Sequence, residues 1–319
     1  MLHVITNTQD TIAGFILQGL ADKNENRIIE FPRGRRTPWQ KIIRHIESLQ
    51  KKTSKSHYLT QDFQKQIASI KKEDTVLFFD IDYHRDLKII KKHLPPHKKT
   101  CLFLWNSIFQ HDSKGSAAKK AILFRDLFTE TYTFDPKDAE TYGFRLIPQP
   151  YRLLEPPIST KRENDLYFIG TDKGRVGQLQ KIKAMAESAS LKCQFHITPN
   201  KKIKYTPQQT ALLSTHSLSY AENIEIGRKS RCLLEIIQKN QTGATMRAIE
   251  SIFLNCKLIT NNPYAQTMPG YSPDRVLMLA DVTPETLKAF LDSPHAPPPA
   301  SALAQHEVNR RTTLFHAWC

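Results

Sequence analysis

Apolar residues in this chain come in short continuous runs of the buried-strand type, alternating with segments whose apolar positions repeat every three or four residues. Leu2–Thr6, 27–31, Thr75–Phe79, 100–104 and 130–134 read as strands. Between them, 12–22, 39–51, 62–72, 87–94, 117–128 and Pro136–Tyr142 read as helices. The segment 39–51 places Ile42, Ile43, Ile46 and Leu49 on one face. Pro95-Pro96 closes one helix and Gly143 another. Strands alternating with helices through short connections predict a parallel sheet covered on both faces.

Residues 148–164 interrupt the pattern with Pro148, Pro150, Pro156 and Pro157 among polar positions, which predicts a domain boundary. The alternation then restarts. Strands are expected at 165–169, 192–197, 232–238, 258–260 and Val276–Met278, with helices at Val176–Ser188, 221–229, 245–254 and 284–291. Thr283 followed by Pro284 has the character of an N-cap and first helical residue. Beyond the proline-rich link 295–300, Val308, Thr312, Phe315 and Trp318 lie at helical spacing and predict a tail that packs back onto the body. The expected organisation is an N-terminal domain over 1–150, a second over 160–300 and a tail helix over 301–319.

At 319 residues two cores are the natural expectation, and 39% apolar residues suffice to fill them. No apolar run approaches the roughly 18–20 residues that span a bilayer. Leu2-His3-Val4-Ile5 follows the initial Met without a basic leader, so a cytoplasmic protein without a signal peptide is expected. The five cysteines are scattered without a C-x-x-C pair, which predicts free thiols.

The formal net charge is +15, spread over clusters at 33–36, 51–55, 91–99, 119–120 and 201–204. No zinc-finger or RNA-recognition signature accompanies it, so nucleic acid is not an expected partner. Solvated surface accounts for most of these charges. The sharper reading is peripheral contact with an anionic inner-leaflet membrane.

The most informative stretch is Gln241-Thr242-Gly243-Ala244-Thr245-Met246-Arg247-Ala248-Ile249-Glu250, set between two apolar runs. It reads as strand, glycine turn and helix. The turn's N–H groups and the helix N-terminus suit a diphosphate, and Glu250 could accept from ribose hydroxyls. Arg247 and Glu250 share the helix face opposite Met246, Ile249 and Phe253. A plain surface ion pair is the competing account of those two. A second loop, Gly170-Thr171-Asp172-Lys173-Gly174-Arg175, also joins a strand to a helix. Its glycines allow close approach, and Lys173 and Arg175 suit phosphate oxygens. The expected donor-binding set is Gly170, Thr171, Lys173, Arg175, Gln241, Gly243, Thr245, Arg247 and Glu250.

Four stretches carry a resemblance. Leu102-Phe103-Leu104-Trp105-Asn106-Ser107-Ile108 resembles a YLWDSI segment. Tyr132-Thr133-Phe134-Asp135-Pro136-Lys137-Asp138-Ala139 with Tyr142-Gly143 resembles YSFDxxDAxxYG. Residues 168–175 resemble FIGxDKGR, and 241–250 resemble QxGLTxRxxEAL. Together they are similar to bacterial GT-B type glycosyltransferases of lipopolysaccharide and capsule gene clusters. The resemblance implies an α/β fold of two Rossmann-like domains facing a cleft, with a C-terminal helix crossing back to the first domain. It implies transfer of a sugar from a nucleotide-sugar donor, bound by the second domain, to a lipid-linked or oligosaccharide acceptor, with no cofactor and no metal. The first 95 residues match only in general pattern.

Two departures matter. Asn106 stands where the group has Asp, and Thr242 occupies the position of the first of two glutamates that many GT-B enzymes carry eight residues apart. Inversion and retention therefore both stay open, as does a non-catalytic nucleotide-sugar or glycan-binding subunit. Phe78-Phe79-Asp80-Ile81-Asp82 raises a rival, since a D-x-D after a strand can hold a divalent metal with a diphosphate. An inverting transfer needs a base for the acceptor hydroxyl, and Asp10 and Asp82 are the candidates at strand ends.

Overall fold

The computed structural model describes residues 1–7, 12–20, 25–31, 59–96, 99–109, 115–154, 161–238 and 241–308. The chain divides into two compact units, one formed by Met1–Pro148 together with Val308, the other by Gln149–Glu307.

In the first unit, strands β1 (Leu2–Thr6), β2 (Asn26–Glu30), β3 (Thr75–Phe79), β4 (Lys99–Leu104), β5 (Glu130–Thr133) and β6 (Arg145–Leu146) form one parallel sheet in the order β2-β1-β3-β4-β5-β6. The described helices are α1 (Ile12–Leu17), α2 (Gln61–Ala68), α3 (His84–His93), α4 (Ser116–Leu127) and α5 (Pro136–Tyr142). The central strands are apolar at nearly every position because both faces are covered. One core gathers Ile5, Phe63, Phe78, Leu102 and Phe124, all at most 1% exposed.

The four-motif resemblance has a local physical basis here. Asp135 caps α5 by accepting from the Lys137 and Asp138 amides. Asp138, fully buried, accepts from Ser107 Oγ (3.0 Å) and from the amides of Ile108 and Phe109 (both 2.9 Å). Burial raises the pKa of Asp138, and those bonds offset it in part. Two of the motif stretches therefore meet to fix the turn after β4, and Asn106 stands exposed on that turn.

The second unit holds β7 (Asn164–Thr171), β8 (Cys193–Thr198), β9 (Ser230–Glu235), β10 (Lys257–Thr260) and β11 (Val276–Met278), all parallel, in the order β11-β10-β9-β7-β8. Helices α6 (Val176–Ser188), α7 (Pro207–Thr210), α8 (Tyr220–Arg228), α9 (Met246–Phe253), α10 (Pro284–Asp292) and α11 (Ala300–His306) accompany them. Thr283 caps α10 through a reciprocal bond pattern, with Pro284 at its first turn, as the sequence predicts. The core centres on Leu166, Leu179, Cys232, Ile259 and Leu287.

Several sequence expectations are trimmed at their ends. The predicted helix 12–22 is helical over Ile12–Leu17, and the predicted strand 232–238 ends at Glu235. The short strand β6, the helix α7 and a 3-10 turn over Pro263–Thr267 were not expected. The predicted helix 39–51 lies outside the described residues. Of the expected tail, Ala300–His306 is helical, belongs to the second unit and packs against α9, while 309–319 lie outside the described residues. Among the described residues Cys101, Cys193, Cys232 and Cys256 are free thiols. No described helix is long and apolar enough to cross a membrane.

Basic side chains do structural work beneath the second sheet. Arg162 donates to the carbonyls of Arg228 (2.7 Å), Ser230 (3.0 Å), Leu254 (3.2 Å) and Asn255 (3.0 Å). Arg275 donates to Ala296 O and Asn255 Oδ1, and the buried Lys257 ammonium to Phe290 O and Ser293 O. Each satisfies carbonyls at helix ends or in turns that the helix ladder leaves over.

Candidate functional site

In an open parallel sheet, ligands bind beyond the strand C-termini where the strand order reverses. In the second unit β7 comes first in the chain, β8 adds on one side and β9 on the other, so the reversal lies between β7 and β9. The segments leaving these strands lead into Gly170–Arg175 and 241–250, the two stretches singled out from sequence.

Arg175 joins them. One terminal nitrogen donates to Ile236 O at the end of β9, the other to Thr171 O (2.8 Å). The guanidinium also lies over the Phe168 ring, 5.3 Å from its centroid. Burial lowers its pKa, although Asp172 and Glu235 partly offset this. A Cβ on Gly170 would stand 3.1 Å from Arg175 Nη2, a tight approach to which the guanidinium would have to yield by a few tenths of an ångström. Lys173 and Gly174 both have positive φ, +44° and +87°, which turns the loop sharply into α6. Lys173 is exposed; partial desolvation and then the Arg175 charge lower its pKa. Asp172, fully buried, accepts from the Val176 amide at the start of α6 (2.6 Å).

On the β9 side the organising group is Glu235, which sequence reasoning missed. It is 4% exposed and accepts from the hydroxyls of Thr245 and Thr260. Burial raises its pKa; the two hydroxyls and the charges of Arg247 and Arg175 counter this only in part. Thr245 also caps α9, accepting from the amides of Arg247 (3.1 Å) and Ala248 (3.4 Å). Asn262, buried, donates to Gly243 O (2.9 Å) and holds the glycine turn against β10. Gln241 folds back on its own turn, accepting from the Gln238 amide. The signal for Glu235 was available: one carboxylate inside the apolar run 232–237 must find partners. Reading 232–238 as a single strand concealed it.

The helix α9 differs from its predicted form. Ala248, Ile249, Glu250, Ser251, Ile252 and Phe253 are all buried, so its polar side is covered too. Arg247 Nη1 lies 2.5 Å from Glu250 Oε2, with the side chains 14% and 2% exposed. The i, i+3 pair therefore exists but is buried, because α8 packs over it. Glu250 Oε1 accepts from Tyr220 Oη (2.6 Å) and Asn223 Nδ2 (3.3 Å), and Tyr220 Oη, its one proton given to Glu250, lies 3.2 Å from Tyr151 Oη. Arg247 also reaches Asn223 Oδ1 at 3.4 Å and sits 5.6 Å from the Tyr167 ring centroid. Burial, then the Glu250 charge, raises the Tyr151 and Tyr220 pKa values.

The first unit has the same topology at β1 and β3. Asn7, at the end of β1, donates to Asp80 O and to Asp80 Oδ2 (3.1 Å), and Asp80 has φ +58°. Asp82 is 39% exposed, with its Oδ2 4.0 Å from Lys120 Nζ. Asp10 lies outside the described residues, as do the basic clusters at 33–36 and 51–55. Among the described residues no group of three or more His, Cys, Asp or Glu side chains is placed to hold a metal.

No protein-family profile matches the chain, and no curated protein matches it. Solved structures do. A Listeria monocytogenes protein assigned as a UDP-N-acetylglucosamine 2-epimerase superposes with TM-score 0.52 at 9% identity, over 100% of this chain and 97% of its own. The glycotransferase of kitacinnamycin gives TM-score 0.43 at 10% identity over 99% and 98% of the two chains. E. coli heptosyltransferase WaaC, solved with ADP-2-deoxy-2-fluoro heptose, gives 0.37 at 9% identity over 100% of both. The fold is α/β with two Rossmann-like units, and it is similar to that of the protein assigned as an epimerase. Fold at this identity leaves the chemistry to the site itself.

Proposed function

We propose that the chain is a glycosyltransferase that moves a sugar from a nucleotide-sugar donor to a hydroxyl of a bacterial cell-envelope glycan, of the lipopolysaccharide or capsule kind. The observation that carries this reading is the β7/β9 switch point, where a glycine loop opening the 13-residue helix α6 is tied by Arg175 to the loop leading into α9. Amides at the α6 N-terminus and the exposed Lys173 would take the donor diphosphate and stabilise it as a leaving group. In this reading Arg175 is a positioning residue, since its terminal nitrogens hold backbone carbonyls. Glu250 would exchange its Tyr220 and Asn223 bonds for ribose hydroxyls. Gly170, Thr171, Gln241, Gly243, Thr245 and Arg247 would complete the donor set, and the transfer would be of the hexosyl type, without a metal. Asp82, half-exposed at a strand end, and Asp10 are the proposed bases. The protein would work in the cytoplasm against the inner membrane.

One observation favours a second reading, a non-catalytic nucleotide-sugar or glycan-binding subunit: the Glu250 carboxylate is already engaged inside the unit. Thermal shift with UDP, GDP, CDP, ADP and CMP, each with and without EDTA, followed by donor hydrolysis and transfer, separates the readings. A shift with one diphosphate, unchanged by EDTA and accompanied by turnover, is expected. Binding without turnover would favour the subunit. A metal-dependent shift would move the diphosphate to Asp80 and Asp82. No shift with any nucleotide or intact donor would sink the transferase and leave a non-catalytic, glycan-binding subunit.

A further inference from the structure

Basic residues elsewhere in the second unit are largely committed to protein partners. Lys183 pairs with Glu187, Lys229 with Glu225, Lys288 with Asp292, and Arg231 with Asp165 and Asp292. Arg162, Lys257 and Arg275 hold backbone carbonyls. Among the described residues Lys181 and Lys192 are exposed without an ion-pair partner, and so are four more lysines that lie close in the fold: Lys173, Lys201, Lys202 and Lys204.

These four are brought together. Lys201, Lys202 and Lys204 occupy the loop leaving β8, and Lys173 the loop leaving β7, two adjacent strands paired as far as Thr171 with Thr198. Tyr205 Oη donates to Asp172 Oδ2 (2.9 Å), which clasps the residues beside Lys204 and Lys173. The Asp172 amide donates to Thr198 O (2.9 Å). The β8 loop is itself fixed: the Asn200 amide donates to Tyr205 Oη (2.8 Å), the Lys202 amide to Asn200 Oδ1 (3.0 Å), and the Ile203 amide to Asn200 O (3.0 Å). The carboxylate next to Lys173 in the chain, Asp172, is fully buried and spends its oxygens on Val176 N and Tyr205. Four like charges on an ordered surface, with no counter-charge, repel one another. An anion with several negative oxygens relieves that repulsion at once.

We propose that Lys173, Lys201, Lys202 and Lys204, held by the Tyr205–Asp172 clasp, form a docking platform for a phosphate-bearing anion at the β7–β8 edge of the second unit. The platform goes beyond the donor reading. It lies on the far side of β7 from the β9 switch point, and it shares only Lys173 with the proposed donor set. The phosphate has two sources, a soluble diphosphate or the headgroup of an anionic phospholipid.

The test uses the full chain at low and at physiological ionic strength. Inorganic pyrophosphate binding is measured by calorimetry. Sedimentation is measured with phosphatidylcholine vesicles, with and without phosphatidylglycerol. Wild-type protein is compared with Lys201→Ser/Lys202→Ser/Lys204→Ser and with a charge-matched control in the first unit, Lys65→Ser/Lys71→Ser/Lys72→Ser, whose three sites are exposed. The expected result is binding of at least one probe that weakens at least about tenfold in the β8-loop variant and weakens with salt, as charge screening requires. The control should bind as wild type does. Pyrophosphate binding alone assigns a soluble ligand, and vesicle binding alone assigns a headgroup. Binding of neither probe, or equal losses in both variants, would overturn the platform and leave only net charge. Nucleotide thermal shifts run on the same variants keep the two proposals separate. A shift retained in the β8-loop variant while probe binding is lost leaves the donor reading standing, and no nucleotide shift in any protein sinks the donor reading alone.

Discussion

The two strand-order reversals of this molecule share a topology and differ in chemistry. At β1/β3 of the first unit, the tie is an amide side chain, Asn7, donating to Asp80, and the half-exposed neighbour is a carboxylate, Asp82. At β7/β9 of the second, the tie is the Arg175 guanidinium donating to two carbonyls, and the exposed neighbour is the Lys173 ammonium. One end offers proton acceptors, the other cations and glycine amides. A parallel sheet therefore supplies the place of a site, while the few residues leaving its strands decide whether the place suits a hydroxyl to be deprotonated or a phosphate to be held.

The comparison breaks most easily at the second unit. Glu250→Ala leaves the largely buried Arg247 cation without its partner and is expected to cost about 3–5 kcal/mol, read by urea denaturation. A loss below about 1 kcal/mol would mean that the pair behaves as an exposed one. Arg175→Met removes two charge-assisted bonds, one between the loops and one within its own, for about 2–3 kcal/mol, and should abolish any nucleotide-induced thermal shift. Retention of that shift would show that the loops are held together by something else. Asn7→Ala, the matching change in the first unit, is expected to cost about 1 kcal/mol and to leave nucleotide shifts unchanged. A lost shift there would overturn the assignment of cations to one end and acceptors to the other.

The smallest effect concerns Glu235. Its folded pKa lies above the ordinary value of 4.5 because it is buried. Between 4.5 and that folded value the native state holds a proton that the unfolded chain has released. Its contribution is therefore fully present below 4.5 and declines as pH rises through the window. Relative to wild type, Glu235→Gln should flatten that decline in denaturation series across the range. An unchanged pH profile would mean that Glu235 titrates as a solvated carboxylate.

Features set by neighbours in the chain were legible from sequence. Thr283-Pro284 opens α10, Asp135-Pro136 opens α5, and the apolar runs other than 232–238 became strands within a residue or two, because capping and periodicity are local properties. The loops at 170–175 and 241–250 were legible as strand-to-helix turns for the same reason. The burial of the Arg247–Glu250 face was not, since helical spacing identifies a polar face without telling what covers it. Here Asn223 and Tyr220 of α8 cover it, more than twenty residues earlier in the chain.

By itself the sequence determined the kind of protein this is: alternating strands and helices in two compact units, with glycine turns ahead of α6 and α9. Only the tertiary structure decided which strand ends are neighbours. Placing β9 beside β7 gave Arg175 the Ile236 carbonyl, and placing β8 on the other side gave Asp172 the Tyr205 hydroxyl. Strand order rests on which apolar faces and crossover helices pack together over long sequence separations. No short stretch of chain encodes that choice.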